Sequence, residues 1–254
     1  EDIEALFSKW ADAGAVGVKT DYFEGEEQQV LNVMENIAVI GAKYHFMVLY
    51  HGCIAPGGES RTYPNILTTE AVLGEENRKW SNNPSSKDCL MFPFTRNILG
   101  SMDYTPACKD ITNNNNETEG FAIAKSVVYE SGLLHLAAPA KEYRDYIGLP
   151  FLQSLYTTWD ESFVPAQEAY PGKYITYVRR HDKEWFIGSM TIEARDMTVS
   201  LDFLEKGKTY TAYIYSSDDE GGLIVNEKNI SSDDTLAIPL KELDGVAVYI
   251  SENN

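Results

Sequence analysis

The chain has 254 residues, 43% hydrophobic and 24% charged, a composition that supports a real core in one large domain or two ordinary ones. Its 21 basic and 39 acidic residues give a formal net charge of -18, which repels nucleic-acid backbones and anionic membranes and excludes nucleic acid as a partner. No apolar run approaches the ~20 residues of a membrane span, which excludes membrane insertion, and Cys53, Cys89 and Cys108 lack the spacing of a disulfide framework or a zinc site.

Ile3, Leu6, Phe7 and Trp10 recur at helical spacing behind a capping Asp2, with Gly14 as the stop. AVGVKTD follows as a short strand ending on Asp21. A second helix then presents Val30, Val33, Met34, Ile37 and Ile40 on one face, with acids at its start and Gly41 closing it. YHFMVLYHG is the next strand and is apolar almost throughout. This alternation of helices with fully apolar strands predicts a parallel sheet covered by helices, an α/β unit. Further strands are expected at 63–67 and near 94–102, and a late helix from Glu117 with Phe121, Ala124, Val128 and Leu133 or Leu134 facing inward. The tract NNNNE at 113–117 reads as the loop leading into that helix.

After about Thr158 the pattern changes. KYITYVRR, EWFIGSMTI, MTVSLDFL, TYTAYIYSS, LIVNEKNI, TLAIPL and GVAVYIS are short β-branched or aromatic runs between turn residues, which predicts seven strands of an antiparallel, sandwich-like domain. The expected boundary lies near residue 155, giving an α/β unit over 1–155 and an all-β domain over 156–254. With helical periodicity from Asp2 and no initiator methionine, the sequence reads as a piece cut from something longer.

Parallel strands collect functional groups at their C-terminal ends, where Asp21 and the pair His51–Gly52 stand. Downstream lie Arg61, Tyr63, Glu70, Glu75, Glu76, Arg96 and Asp103. Taken singly, each acid also reads as a helix cap or loop residue, each arginine as a structural ion-pair partner, and His51 as a core histidine.

In series, YHG, PGGESRTYPNILTTEAVLGEE, PFTRNILGSMDYTP, VVYESGLLHLA and TTWDES resemble glycoside hydrolase family 97 over nearly the whole chain. The resemblance implies the later part of a (β/α)8 TIM barrel followed by an antiparallel β-sandwich-like domain, with GVKTD as the fourth barrel strand. The missing N-terminal portion, or another chain, would complete the barrel. It implies a glycosidase acting on an α-linked oligosaccharide or α-galactoside, α-galactosidase before α-glucosidase, in a bacterial periplasm or secreted. A non-catalytic carbohydrate-binding fragment is the alternative for so truncated a chain. The sequons at Asn116 and Asn229 are incidental in a bacterial protein.

By the same resemblance Asp21 matches the nucleophile of the retaining members, Glu76 the acid/base and Glu70 a ligand of a Ca2+ ion. Inverting members carry a base Glu directly after the residue matching His51. This sequence has Gly52 there, which points to the retaining branch. A retaining enzyme needs its carboxyl pair ~5 to 5.5 Å apart, Asp21 ionised and Glu76 protonated. Glu75 is chemically equivalent to Glu76, and only the motif register selects between them. Lys19, two residues before Asp21 on the same strand face, and His51, Arg61, Tyr63 and Asp103 are the expected substrate-binding residues. Trp80, Tyr63 and Tyr104 are candidates for stacking on a sugar face.

Overall fold

The computed structural model describes residues 2–23, 25–80, 83–106 and 116–253. Cys108 and most of the asparagine tract lie outside them. Asp2 caps α1 (Ile3–Asp12), accepting from the backbone N–H groups of Glu4 and Ala5. Strand β1 (Gly17–Thr20), α2 (Gln28–Lys43), β2 (Met47–Tyr50) and β3 (Ile66–Thr69) follow. The three strands form a parallel sheet in the order β1-β2-β3. Phe7, Ile37, Phe46, Val48 and Tyr50 form the core beneath the two helices.

The inner face of α2 is narrower than expected. Ile37, Ala38 and Gly41 are buried, whereas Val33 is 45% exposed. Gly41 does not end the helix. It lies inside it, where a Cβ would come within 2.9 Å of Val48 Cγ2, so it serves close helix-to-strand packing. The acids near the start make no capping bond.

The third strand sits three residues later than expected. The stretch 94–102 is no strand but the end of one 3-10 turn (Phe92–Phe94) and all of another (Arg96–Ile98), and Met102 alone bridges to Thr69 in parallel sense. Arg96 explains this. Its buried guanidinium donates to the carbonyls of Thr69, Glu70, Gly100 and Ser101, satisfying acceptors that a longer strand would otherwise have paired. The short helix α3 (Ser86–Cys89) carries a capping box between Ser85 and Asp88.

The late helix, α4 (Glu119–Val128), stops before Leu133 and Leu134, and α5 (Leu149–Ser154) comes after them. Arg179 caps the end of α4 by donating to the carbonyls of Val127 and Val128. At its start the Thr118 hydroxyl donates to Asp244, and the Gly120 N–H donates to Ser217. A Cβ on Gly120 would meet the Gly245 carbonyl oxygen at 2.2 Å, so only glycine permits this docking.

The chain then forms nine strands: β4 (Glu161–Phe163), β5 (Ala169–Tyr170), β6 (Tyr174–His181), β7 (Glu184–Thr191), β8 (Arg195–Ser200), β9 (Tyr210–Ser217), β10 (Leu223–Ile230), β11 (Thr235–Leu240) and β12 (Asp244–Glu252). All seven expected strands are present, and the two extra are only three and two residues long. The larger antiparallel sheet runs β10-β9-β12-β7-β6-β4, with β5 added on β6, and β11 pairs with β8 over one face. Strands β7 and β12 are buried along most of their length because β8 and β11 cover one side and α4 the other. Although α4 and α5 precede residue 155, both pack on this sheet, with Ile123, Val127 and Phe151 against Phe186, Tyr215 and Ala247.

Candidate active site

Parallel pairing brings the strand ends into one row. The His51 N–H donates to Thr20 O, the Glu70 N–H to Tyr50 O and the Asp103 N–H to Thr69 O. Asp21, His51, Glu70 and Asp103 therefore follow one another across the C-terminal edge of the sheet.

Asp21 is exposed one residue beyond β1, and its Oδ1 accepts a 2.7 Å hydrogen bond from the Tyr22 N–H. A Cβ built on Gly52 would lie 2.6 Å from that same oxygen, and Gly52 has a left-handed φ of 51°. Gly52 thus makes room for the acid beside it. Its N–H donates to Glu70 Oε2 at 2.7 Å, which links the two acids through one residue.

Glu70 is buried, and its carboxyl pKa is raised. Burial is the main cause. The negative charges of Glu76 and Asp21 add to it, while the Gly52 N–H and His51 work the other way. His51, 1% exposed, lies between acids, with Nδ1 3.3 Å from Glu70 and Nε2 3.0 Å from Asp103. Burial works against charging the ring, but the Asp103 hydrogen bond and the Glu70 charge outweigh it and raise its pKa, with Lys19 partly offsetting them. Lys19 itself is exposed in β1, close enough to His51 for its charge to act on the ring.

Asp103 is fully buried and accepts from His51 and from both the ring and the backbone N–H of His135. Burial alone would raise its carboxyl, yet these bonds, led by His135, hold it down at about 2. The expected substrate contact is thus a buried acceptor for two imidazoles. His135 was not foreseen. His135 directly follows Leu133 and Leu134 in the stretch expected to be helical, and helical periodicity gave no sign of its role, because α4 ends at Val128 and the chain turns back to the strand ends.

The depressed Asp103 pKa sets a stability window. The unfolded chain protonates this side chain near 3.8 and the folded chain near 2, so the contribution is complete above about pH 4 and is lost as pH falls toward 2. Its size is on the order of 2 kcal/mol. The raised His51 contributes in the opposite sense, fully below its ordinary pKa of 6.5 and less as pH rises through the higher folded value. Urea melts at pH 5 and pH 3 should show the acid-side loss, and Asp103→Asn should flatten it.

The structure separates the two adjacent glutamates. Glu75 is 3% exposed, with Oε1 2.8 Å from Arg78 Nε and Oε2 2.8 Å from Lys125 Nζ. Glu76, beside it in the 3-10 turn Glu75–Lys79, is half-buried and turns the other way. Ligand atoms of Glu76, Glu70 and His51 lie within 4.8 Å of one another, a separation that one cation could span.

Other expected residues are not brought to this row. Arg61 is exposed on the 3-10 turn Glu59–Arg61, and no ion pair among the described residues includes it. Tyr63 precedes β3, so it falls at the wrong end of that strand, and its hydroxyl donates to Glu35 of α2. It helps line a cavity of about 320 Å3 with Leu31, Met34 and Tyr50, to which none of the strand-end acids contributes. Tyr104 packs in the core against Phe92 and Tyr129 and cannot stack on a ligand. Trp80 is 58% exposed, four residues after Glu76. Cys53 and Cys89 are free thiols, and no described helix is long and apolar enough to cross a membrane.

The family model described as "Glycoside hydrolase 97" matches residues 1–72, and the one described as "Glycosyl-hydrolase 97 C-terminal, oligomerisation" matches 158–251. The chain belongs to glycoside hydrolase family 97. A probable retaining alpha-galactosidase of Streptomyces bingchenggensis is 31% identical over 229 residues, covering 89% of this chain and 35% of that protein. The retaining alpha-galactosidase of Bacteroides thetaiotaomicron is 32% identical over 230 residues, covering 84% and 34%. The chain therefore spans about a third of the length of these relatives. A family 97 enzyme from Pseudoalteromonas sp. strain K8, solved in complex with panose, shares the fold at a TM-score of 0.90 and 24% identity, covering 99% of this chain and 44% of that one.

Proposed function

We propose that this chain is the later part of the catalytic barrel, with the C-terminal β domain, of a retaining α-glycosidase, Asp21 being the nucleophile and Glu76 the acid/base. The observation that carries this reading is the contact between Asp21 and Gly52. The position where an inverting member would hold its base has no side chain, and the space a Cβ would need is taken up by the Asp21 carboxylate. The names of the two relatives support the same stereochemistry and favour an α-galactoside over an α-glucoside.

In the first step an Asp21 oxygen bonds to the anomeric carbon as the glycosidic C–O bond breaks, and Glu76 gives its proton to the departing oxygen. In the second, Glu76 takes a proton from water, the water oxygen bonds to the anomeric carbon and the Asp21 ester bond breaks. Two displacements at one carbon restore the original configuration. The other half of the barrel, from a preceding segment or another chain, would close the free edge of β1 and supply the opposite wall of the cleft.

For calcium, Glu70 and Glu76 are hard oxygen donors at a suitable separation, while the imidazole of His51 is a poorer match. A Ca2+ ion takes 6–8 oxygens, so Glu70 would be its ligand in this chain and most of the others would come from elsewhere. Such an ion would supply fixed positive charge near the sugar hydroxyls. Glu76 must stay off the ion to keep its proton, since a metal-bound carboxylate is deprotonated.

The test is the anomer first formed by the full-length protein from p-nitrophenyl α-galactoside, followed by proton NMR. Initial α-galactose supports the reading. Initial β-galactose overturns it, and faster turnover of the α-glucoside would reassign the sugar alone.

A further inference from the structure

Behind Glu76 lies a closed set of four buried charges. Arg78 Nη2 is 2.8 Å from Glu117 Oε2 and Lys125 Nζ is 2.9 Å from the same oxygen, so Glu75, Arg78, Glu117 and Lys125 alternate in sign around a ring. All four are nearly or fully buried. Ser86 Oγ donates to the other oxygen of Glu117, and the Glu75 N–H donates to Tyr104 O. Burying four charges is a poor way to gain stability, because apolar residues of the same volume would commonly do as well or better. Such a ring is better suited to fixing geometry. It joins the turn bearing Glu75 and Glu76 to α4, which is itself pinned at both ends to the antiparallel sheet.

We propose that this ring is a positioning device for Glu76, through which α4 and the C-terminal β domain aim the acid at the glycosidic oxygen. The inference rests on the acid/base role proposed above. Glu75 and Glu76 share a peptide bond within one 3-10 turn, and the two side chains diverge. Clamping Glu75 by both oxygens therefore fixes the direction in which Glu76 leaves the backbone. None of the four ring residues touches the substrate. Their effect is exerted through Glu76, as acid in the first step and as base in the second.

The test uses the full-length protein with two substrates differing in their need for an acid. Methyl α-galactoside has a poor leaving group, methoxide, which must be protonated to depart as methanol, whereas the fluoride of α-galactosyl fluoride leaves without protonation by the acid. The quantity read is kcat/KM, which covers only the steps through the first bond cleavage. Glu75→Gln with Lys125→Met removes one charge of each sign. It should lower kcat/KM by about 100-fold on the methyl glycoside, the loss expected from a misplacement of about 1 Å, and only slightly on the fluoride. Arg78→Lys keeps the charge but loses the fork, and should show the same bias to a smaller degree even if the double variant folds poorly. Equal losses on both substrates, or no loss, would overturn the proposal. Glu76→Ala is the control. If it shows no such bias, the acid/base assignment itself fails; if it does and the ring variants do not, only the positioning role fails.

Discussion

Asp21→Asn is expected to abolish turnover in the full-length enzyme, with a fall in kcat of about 10⁴-fold to 10⁶-fold, the range seen when a nucleophilic centre is removed. The amide keeps the shape of the carboxylate but cannot form the ester intermediate. Stability should hardly change, because Asp21 is exposed and its side chain, among the described residues, accepts a hydrogen bond from the next residue's N–H alone. Surface changes of that kind stay within about 0.5 kcal/mol. Asp21→Gly then allows a more specific measurement. The smaller side chain opens the face from which the carboxylate attacked, so azide can enter there while Glu76 still protonates the leaving group. The product should be the β-glycosyl azide from an α-glycoside, identified by NMR. Undiminished turnover in the Asn variant, or an α-azide from the Gly variant, would remove Asp21 as nucleophile.

How far the sequence leads depends on how local each signal is. The first two helices, the strands ending at Asp21 and His51, and the seven principal strands of the β domain were legible because each follows its own hydrophobic period or a turn residue nearby. The segment 94–102 was misread because the acceptors that might have paired in a strand are met by a side chain, Arg96, and no period records that. The length of α4 was overestimated for a similar reason. Its stop is enforced by Arg179, some fifty residues away, rather than by a local breaker.

The site divides along the same line. Asp21 and Gly52 could each be read from strand ends and family motifs, but their closeness to one another could not. Only the motif register separates Glu76 from Glu75 in the sequence; the physical difference is that Glu75 is held by Arg78, three residues on, and by Lys125, which folding brings from fifty residues away. Asp103 was recognised as a strand-end acid, but its burial between His51 and His135 depends on a loop whose path the sequence does not reveal. Tyr63 and Tyr104 show the limit for aromatics. Sugar-stacking and core tyrosines have the same local signature, and only burial separates them.

Gly52→Ala is expected to be the most damaging single-methyl change at the site. Two effects combine. The left-handed φ of 51° carries a penalty of about 1–2 kcal/mol for any residue with a Cβ. The new methyl would also lie 2.6 Å from Asp21 Oδ1, 2.9 Å from Tyr22 N and 3.2 Å from Tyr22 Cα. The Asp21 carboxylate must swing away, and the backbone at Tyr22 must also give, against the Phe23 N–H bond to Gly52 O at 2.7 Å. A displaced nucleophile should lower kcat by about 100-fold, more than the modest loss of stability would suggest. A double-mutant cycle separates the two effects. In an Asp21→Gly background the clash with the carboxylate is gone while the backbone strain and the Tyr22 contact persist. The stability cost of Gly52→Ala should therefore shrink without vanishing, a coupling on the order of 1 kcal/mol. Denaturant melts of the four proteins measure it. Strict additivity would mean that the two residues do not compete for space. Competition, if found, gives a steric reason why a strand-end Asp and a base at position 52 would exclude one another in this scaffold, and hence why retention and inversion would be alternatives within one fold.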